Sequence, residues 1–206
     1  MTNELDVQRE PFNHRFPEIM TLLESMRDTV LAGGAVRDYL TKKVINDFDF
    51  FTVNRPKEQF IKNLTKLGVE DVYHKVGLPS ELQEMVDKNI VSLEEAQGLL
   101  EDYDGMDYID YVLEGKYKGH TVQFVVLTST EFEPTEWIKD FQFGPSEVCI
   151  TKDGKILLTE HFQMFLQKGY VITTNNPNGK HIKRPSYLAK MMQRYPASKF
   201  LWLFYE

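Results

Sequence analysis

Two aspartates one residue apart, Asp47 and Asp49, are the side chains of this sequence best suited to chemistry. They alternate with Phe48 and Phe50, a pattern typical of a strand, in which alternate side chains point to opposite faces of a sheet. Both carboxylates are therefore expected to share one face, while the two phenylalanines enter a core. Carboxylates this close repel each other unless a cation lies between them, and divalent cations that hold substrate phosphates use such oxygen ligands. The pair predicts a metal site that acts on phosphate groups.

Two adjacent glycines, Gly33 and Gly34, precede this strand. They follow a short apolar segment at 30–32, predicted to be a buried strand, and they open a predicted helix over 36–40. Glycines let backbone N–H groups approach a ligand without a side chain between them, and the N–H groups at the start of a helix favour an anion such as phosphate. A phosphate-binding turn beside a metal-binding pair of carboxylates indicates nucleotidyl transfer.

The run Gly33-Gly34-Ala35-Val36-Arg37-Asp38 and the triplet Asp47-Phe48-Asp49 together resemble the head domain of the CCA-adding enzymes and poly(A) polymerases. These enzymes belong to the DNA polymerase beta-like nucleotidyltransferase superfamily. The resemblance implies an α+β fold, with a small mixed sheet and helices on one side of it. It also implies an Mg²⁺- or Mn²⁺-dependent enzyme that moves NMP from an NTP to a hydroxyl acceptor. The expected acceptor is a tRNA-like RNA 3′ end. A protein or a small molecule remains an alternative acceptor.

The resemblance assigns expected roles to individual residues. Gly33 and Gly34 would cradle the triphosphate, and Arg37 would neutralise it. Asp38 belongs to the same nucleotide-binding group, while Asp47 and Asp49 would hold the metal ions and are the expected catalytic carboxylates.

Gln123 is the main departure from the family pattern. The family places a third active-site carboxylate on a later strand, and the matching strand here is predicted at 121–127, joined to a strand at 108–113 by a loop over 114–119. The aligned position is Gln123, whose neutral amide binds a metal ion less well than a carboxylate and is no general base at neutral pH. Either Asp107 or Asp110 contributes instead, or the activity is altered or lost.

A second segment of the family, Arg-Arg-Asp-Phe before a hydrophobic strand, resembles Lys139-Asp140-Phe141. Ile138 departs from its first arginine and Gly144 from a later asparagine. In the family this segment couples the nucleotide to the metal site, so Lys139 and Asp140 are predicted to bind nucleotide. A hairpin turn is expected at 153–154.

The charge of the chain is unevenly distributed. Although the net charge is −7 over 206 residues, residues 70–110 carry 12 acidic side chains and two lysines, and residues 161–205 carry seven basic side chains and no acidic one. We divide the chain into a head domain at 1–180, with an acidic helical insertion at 78–104, and a basic, apolar helical segment at 181–206. The basic segment either contacts RNA, or its side chains are solvated or pair with the acidic insertion. The expected RNA contacts are Lys183, Arg184, Lys190 and Arg194.

The remaining composition narrows the class of protein. Cys149 is the single cysteine, which excludes an intramolecular disulfide, and neither a long apolar run nor a signal peptide is apparent, so a cytoplasmic protein without a membrane partner is expected. The five histidines lack metal-ligand spacing. The oligomeric state is left open. Gln123 and the absence of the family's Glu-Asp-x-x-Arg nucleotide-selecting motif keep a second hypothesis open: a degenerate member that binds nucleotide, RNA or a partner protein without chemistry.

Overall fold

The computed structural model describes residues 11–75, 88, 90, 109–141, 143–174 and 191–203. The predicted insertion at 78–104 lies almost wholly outside these residues, and Asp107, Lys183, Arg184 and Lys190 lie outside them. The strands are β1 Thr29–Ala32, β2 Asp47–Thr52, β3 Glu70–His74, β4 Ile109–Tyr117, β5 His120–Leu127, β6 Val148–Ile150, β7 Ile156–Leu158, β8 Tyr170–Thr174 and β9 Lys199–Leu203. The helices are α1 Phe12–Arg15, α2 Pro17–Glu24, α3 Gly34–Leu40, α4 Lys57–Lys66, α5 Pro134–Trp137 and α6 Glu160–Lys168, with 3₁₀ turns at Ile138–Asp140 and Gly144–Ser146.

Seven of these strands form one mixed sheet in the order β3-β4-β5-β2-β1-β6-β7. Only the β2–β5 pair is parallel; the other neighbours within this sheet are antiparallel. The expected mixed α+β architecture is confirmed. The strand that carries the two aspartates lies near the middle of the sheet, between β1 and β5.

One face of the sheet is covered by the principal helices, and its core is largely aromatic. Phe50 of β2 stacks on Phe124 of β5 with ring centroids 5.3 Å apart, and Phe60 of α4 meets Phe124 edge-on at 5.8 Å. Phe50 and Phe124 are both completely buried. Because side chains alternate along β2, burial of Phe48 and Phe50 turns Asp47 and Asp49 to the opposite face, as predicted.

Replacing Phe124 by alanine is expected to lower the free energy of unfolding by about 3–5 kcal/mol, because it removes a buried ring from between two others and leaves a cavity. Urea denaturation followed by circular dichroism measures the change. Phe132→Ala is the matched control: Phe132 is exposed and meets only Trp137 edge-on among the described rings. The control should cost less than about 1.5 kcal/mol, and equal losses in both variants would contradict this view of the core.

The predicted loop at 114–119 is wrong, because β4 continues to Tyr117 and leaves only Lys118 and Gly119 in the turn. Both turn residues have positive φ angles, 49° and 86°, which is the backbone of a tight two-residue hairpin turn. Residues 114–117 therefore belong to the sheet. The turn predicted at Asp153 and Gly154 joins β6 to β7, as expected.

Part of the helical segment predicted at 181–206 is a strand. Residues 191–194 are helical, but Lys199–Leu203 form β9, which pairs in parallel with β8. Met191 and Tyr195 are buried, whereas Met192 is 51% exposed. Residues four apart, such as 191 and 195, share a helix face, whereas adjacent residues, such as 191 and 192, do not. Among the described residues, no helix has the length and apolar character needed to cross a membrane.

Candidate active site beside the glycine turn

A row of paired residues crosses the sheet on the face opposite the helices. Asp49 lies beside Ala32 of β1 and beside Gln123 of β5; Gln123 lies beside Glu114 of β4, and Glu114 beside Tyr73 of β3. Neighbouring strands are about 4.8 Å apart, and side chains directly opposite one another share a face. The register therefore brings the predicted site residues Asp49 and Gln123 together.

Asp47 and Asp49 are both half-buried. The Gln123 Nε2 donates a hydrogen bond of 3.1 Å to Asp47 Oδ2. Gln123 thus contacts the first aspartate through its side chain and the second through strand pairing. Two carboxylates and an amide oxygen are hard oxygen ligands of the kind that Mg²⁺ uses, and Mg²⁺ commonly takes one or two carboxylates together with substrate phosphates and water. These residues fit such an ion.

The glycine turn leaves the sheet beside this pair. Since β1 and β2 are antiparallel and Ala32 pairs with Asp49, Gly33 and Gly34 follow at the Asp47 end of β2. Gly33 has φ 71° and ψ −128°, a conformation open essentially to glycine alone. Its N–H donates to the Val148 carbonyl at 3.0 Å, so that group is committed to β6 and not to a phosphate cradle. Among the described atoms, nothing lies within 4 Å of a Cβ built on Gly33.

Arg37 and Asp38 lie on α3, which follows this turn, and belong to a buried cluster of charges. Each is 5% exposed. The Arg37 Nε donates to Asp38 Oδ1 at 3.0 Å, and Arg194 donates two further hydrogen bonds to the same carboxylate. Only 20% of the Arg194 side chain is exposed. Nucleotide binding by Arg37 and Asp38 and RNA binding by Arg194 stay predictions.

The Lys139-Asp140-Phe141 segment lies on the same face of the sheet but at the other end of β2. Phe141 packs edge-on against Phe51, with ring centroids 5.1 Å apart, and Phe51 is about 13 Å along the strand from Asp47. Lys139 is exposed and binds Glu136 at 2.7 Å, and Asp140 is exposed. A nucleotide-binding role of Lys139 and Asp140 stays a prediction.

Of the two alternatives for the third carboxylate, Asp110 lies within the described residues and far from Asp47. It is placed at a bulge beside Val126 and accepts a hydrogen bond from Asn54 at 3.3 Å. Asp47 pairs with Thr121, about 16 Å away along β5. The described residues contain no group of three or more His, Cys, Asp or Glu placed to hold a metal ion.

Glu114 is the carboxylate that the sequence reasoning missed, because it was assigned to a loop. It lies next to Gln123 and accepts hydrogen bonds from Tyr73 Oη at 2.5 Å and Lys75 Nζ at 2.8 Å. Burial alone would raise the pKa of Glu114, but the bonds from Lys75 and Tyr73 outweigh it and hold that pKa below its ordinary value. Glu114 is therefore ionised near the site, and the strand register was the only signal that could have located it.

A second carboxylate missed from the sequence, Glu147, is almost fully buried and lies next to Val148, the partner of Gly33. It accepts hydrogen bonds from Thr159 Oγ1 and from His161 Nδ1, the latter at 3.0 Å. The bond to Glu147 raises the pKa of His161, although burial opposes the shift. A protonated His161 thus stabilises the fold.

The contribution of His161 to stability is expected to depend on pH. Because the folded-state pKa is raised, its contribution of about 1–2 kcal/mol is fully present below the unfolded pKa near 6.5 and is lost as the pH rises through the folded value. Urea denaturation of the wild type and His161→Asn between pH 5 and 9 should show a difference in unfolding free energy that shrinks toward high pH. A difference independent of pH would contradict the assignment.

Similarity to solved structures defines the class of this fold. No family model matches the chain, and no curated protein sequence matches it. The CCA-adding enzyme of Thermotoga maritima, solved with tRNA, aligns with 98% of this chain and 43% of its own at 11% identity and a TM-score of 0.58. A CCA-adding enzyme in an apo form aligns with 90% of this chain and 40% of its own, at 11% identity and a TM-score of 0.54.

A third structure, an apo tRNA-processing enzyme, aligns with 83% of this chain and 38% of its own at 15% identity and a TM-score of 0.51. The chain therefore has the α+β nucleotidyltransferase fold of these enzymes. It spans less than half the length of each of the three structures.

Proposed function

We propose that the chain is a metal-dependent nucleotidyltransferase that moves NMP from an NTP to a hydroxyl acceptor and releases pyrophosphate. The observation that carries the proposal is the placement of Asp47, Asp49 and Gln123 on one face of the sheet, with the glycine turn leaving the sheet at the Asp47 end. This arrangement places oxygen ligands for a cation beside two glycines, whose lack of side chains lets a triphosphate approach the backbone.

The chain's own residues would contribute positioning and charge, which supply most of the catalysis in phosphoryl-group chemistry. Gly34 and the residues that follow it receive the triphosphate, since the Gly33 N–H is bonded to Val148. Asp47 and Asp49 would hold the ion, and the Gln123 amide, which donates to Asp47, would orient that carboxylate. When bound, Mg²⁺ neutralises charge on the phosphates and activates the attacking oxygen. The new bond joins the acceptor oxygen to the α-phosphorus as the bond to pyrophosphate breaks, and the proton of the acceptor hydroxyl is released to water.

An RNA 3′ end is the proposed acceptor. The support is the basic segment between His161 and Tyr205, which lacks acidic side chains and would attract a polyanion. Lys183, Arg184 and Lys190 are the proposed contacts within it. Arg194 is a weaker candidate, because its guanidinium is engaged by Asp38.

A binding protein without chemistry is the second candidate, and one observation favours it. The resemblance aligns Gln123 with a third carboxylate of the family, and the Gln123 amide donates to Asp47, so a metal ion would meet less negative charge here. Such a protein would bind nucleotide without a metal ion and turn none over.

The test supplies each of the four α-labelled NTPs, with Mg²⁺ or Mn²⁺, to the purified chain together with total RNA and total protein. Label in RNA supports the enzyme with an RNA acceptor and identifies the base. Label in protein supports the same transfer reaction with a protein, not an RNA, as the acceptor. No label in either, with metal-independent nucleotide binding by calorimetry, would overturn the enzyme in favour of the binding protein.

A further inference from the structure

A buried cluster of charges connects α3 to the helical residues 191–194, far away in the sequence. At its centre the Asp38 carboxylate accepts hydrogen bonds from three side chains. Arg37 reaches Oδ1 through Nε at 3.0 Å and Oδ2 through Nη2 at 3.3 Å. Arg194 reaches Oδ1 through Nε at 3.2 Å and Oδ2 through Nη2 at 2.5 Å, and Tyr195 Oη donates to Oδ1 at 3.2 Å. The carboxylate is thus held on both of its oxygens by both guanidinium groups.

The Arg37 guanidinium lies between this carboxylate and the glycine turn. A Cβ built on Gly34 would approach Arg37 Nη2 to 3.6 Å, which is ordinary van der Waals contact. On its other side Nη1 meets Met191 Sδ at 3.6 Å, and the guanidinium carbon lies 5.7 Å from the centre of the Tyr195 ring. Contacts from residues 191–195 therefore help, together with Asp38, to fix the position of this cation beside Gly34.

Arg194 is itself fixed from two further directions. Its Nη2 donates to the Val44 carbonyl at 2.8 Å, and its own carbonyl accepts a hydrogen bond from Lys43 Nζ at 2.8 Å. The Lys43 ammonium also lies 4.8 Å from the centre of the Tyr195 ring. A planar guanidinium that binds both oxygens of a carboxylate fixes its orientation as well as its position, which the single ammonium of a lysine cannot do.

We propose that Asp38 and Arg194 are positioning residues that hold the Arg37 guanidinium against the glycine turn, where it meets the triphosphate of the nucleotide. Arg194 thereby acts on the nucleotide through Asp38 and Arg37. The proposal rests on the proposed function, because it takes the glycine turn as the triphosphate site. It assigns to the C-terminal residues 191–195 a part in nucleotide affinity that is separate from any contact with an acceptor.

The test measures binding of inorganic tripolyphosphate and of a non-hydrolysable NTP by calorimetry, well below the melting temperature of each variant. Arg194→Lys keeps the positive charge but loses the two-point contact, and we expect its Kd for both ligands to rise about tenfold. Tyr195→Phe removes one hydrogen-bond donor to Asp38 and keeps the ring, so a smaller rise in Kd is expected. If Arg194→Lys fails to fold, Tyr195→Phe still tests the proposal. Met192→Ala is the matched control, because Met192 is an exposed neighbour; its Kd should be unchanged.

In the transfer assay the same variants should raise KM for the NTP more than they lower kcat. A lower melting temperature with unchanged Kd and KM in the Arg194 and Tyr195 variants would overturn the positioning role and leave the proposed function intact. Failure of the wild type to bind either ligand would overturn both.

Discussion

Replacement of both aspartates, Asp47→Asn with Asp49→Asn, is expected to lower metal-dependent NMP transfer by at least about 10³-fold. The two amides keep the shape of the carboxylates and remove the negative charges that hold the ion. Loss of metal stabilisation in a phosphoryl transfer costs several kcal/mol at the transition state, and each 1.4 kcal/mol is a factor of ten in rate. Initial rates measured against Mg²⁺ concentration, with the most active α-labelled NTP, give the value.

The matched control for this double variant is Glu58→Gln with Glu133→Gln, which removes the same number of charges from exposed positions. Its rate should stay within about twofold of the wild type, since exposed charges away from the site contribute little. Nucleotide-free stability of the aspartate variant should rise or stay level, because two crowded carboxylates no longer repel each other. Wild-type transfer by the Asp47, Asp49 variant would exclude these residues as metal ligands and with them the proposed mechanism.

Gln123→Glu is expected to have the second largest effect, in the opposite direction. Glutamate has the shape of glutamine and would supply a third carboxylate next to Asp49, able to bind the ion and to accept the proton of the acceptor hydroxyl. General-base catalysis typically contributes 10²–10⁴-fold, so we expect transfer to rise by about 10²-fold at saturating Mg²⁺. If the wild type shows no detectable transfer and only the Gln123→Glu variant does, the result would favour the second candidate, a chain that binds nucleotide without turning it over.

The same substitution should destabilise the metal-free protein. The Gln123 amide donates to Asp47 at 3.1 Å, and a glutamate would place a second acceptor where that donor was, at a cost of about 1–3 kcal/mol. Addition of Mg²⁺ should restore the loss, which thermal denaturation with and without the ion measures. Gln123→Met is the control, because it keeps the length and adds no charge. A transfer rate that falls equally in both variants would show instead that the amide–carboxylate bond itself is needed.

Local patterns predicted the elements that carry the site, because their causes lie within a few residues. Alternation of apolar and acidic residues placed Asp47 and Asp49 on one face, and the glycine pair placed the start of α3. The same logic failed at Glu114: two positive φ angles at Lys118 and Gly119 let the hairpin close in two residues, and a longer loop was expected.

The contacts between distant segments could not be read from the sequence. The bond from Arg194 to Asp38 joins residues 156 positions apart, and a basic residue on a predicted helix gives no indication of which carboxylate it will bind. Likewise, Glu114 becomes a neighbour of Gln123 only through the register of β4 on β5. The register of a strand pair depends on the geometry of the turn and on which face of the whole sheet is buried. It therefore could not be predicted from the residues of one strand.

The parallel pairing of β2 with β5 has a consequence for how the chain can vary in length. These two strands carry Asp47, Asp49 and Gln123, yet α4, β3, residues 75–108 and β4 separate them along the chain. The entropy lost in closing such a loop grows only with the logarithm of its length, so that halving or doubling it changes the free energy of folding by about 0.6 kcal/mol. A change in chain length between Lys75 and Ile109 that leaves β3 paired with β4 is therefore expected to have only a small effect on the pairing that brings Asp49 beside Gln123.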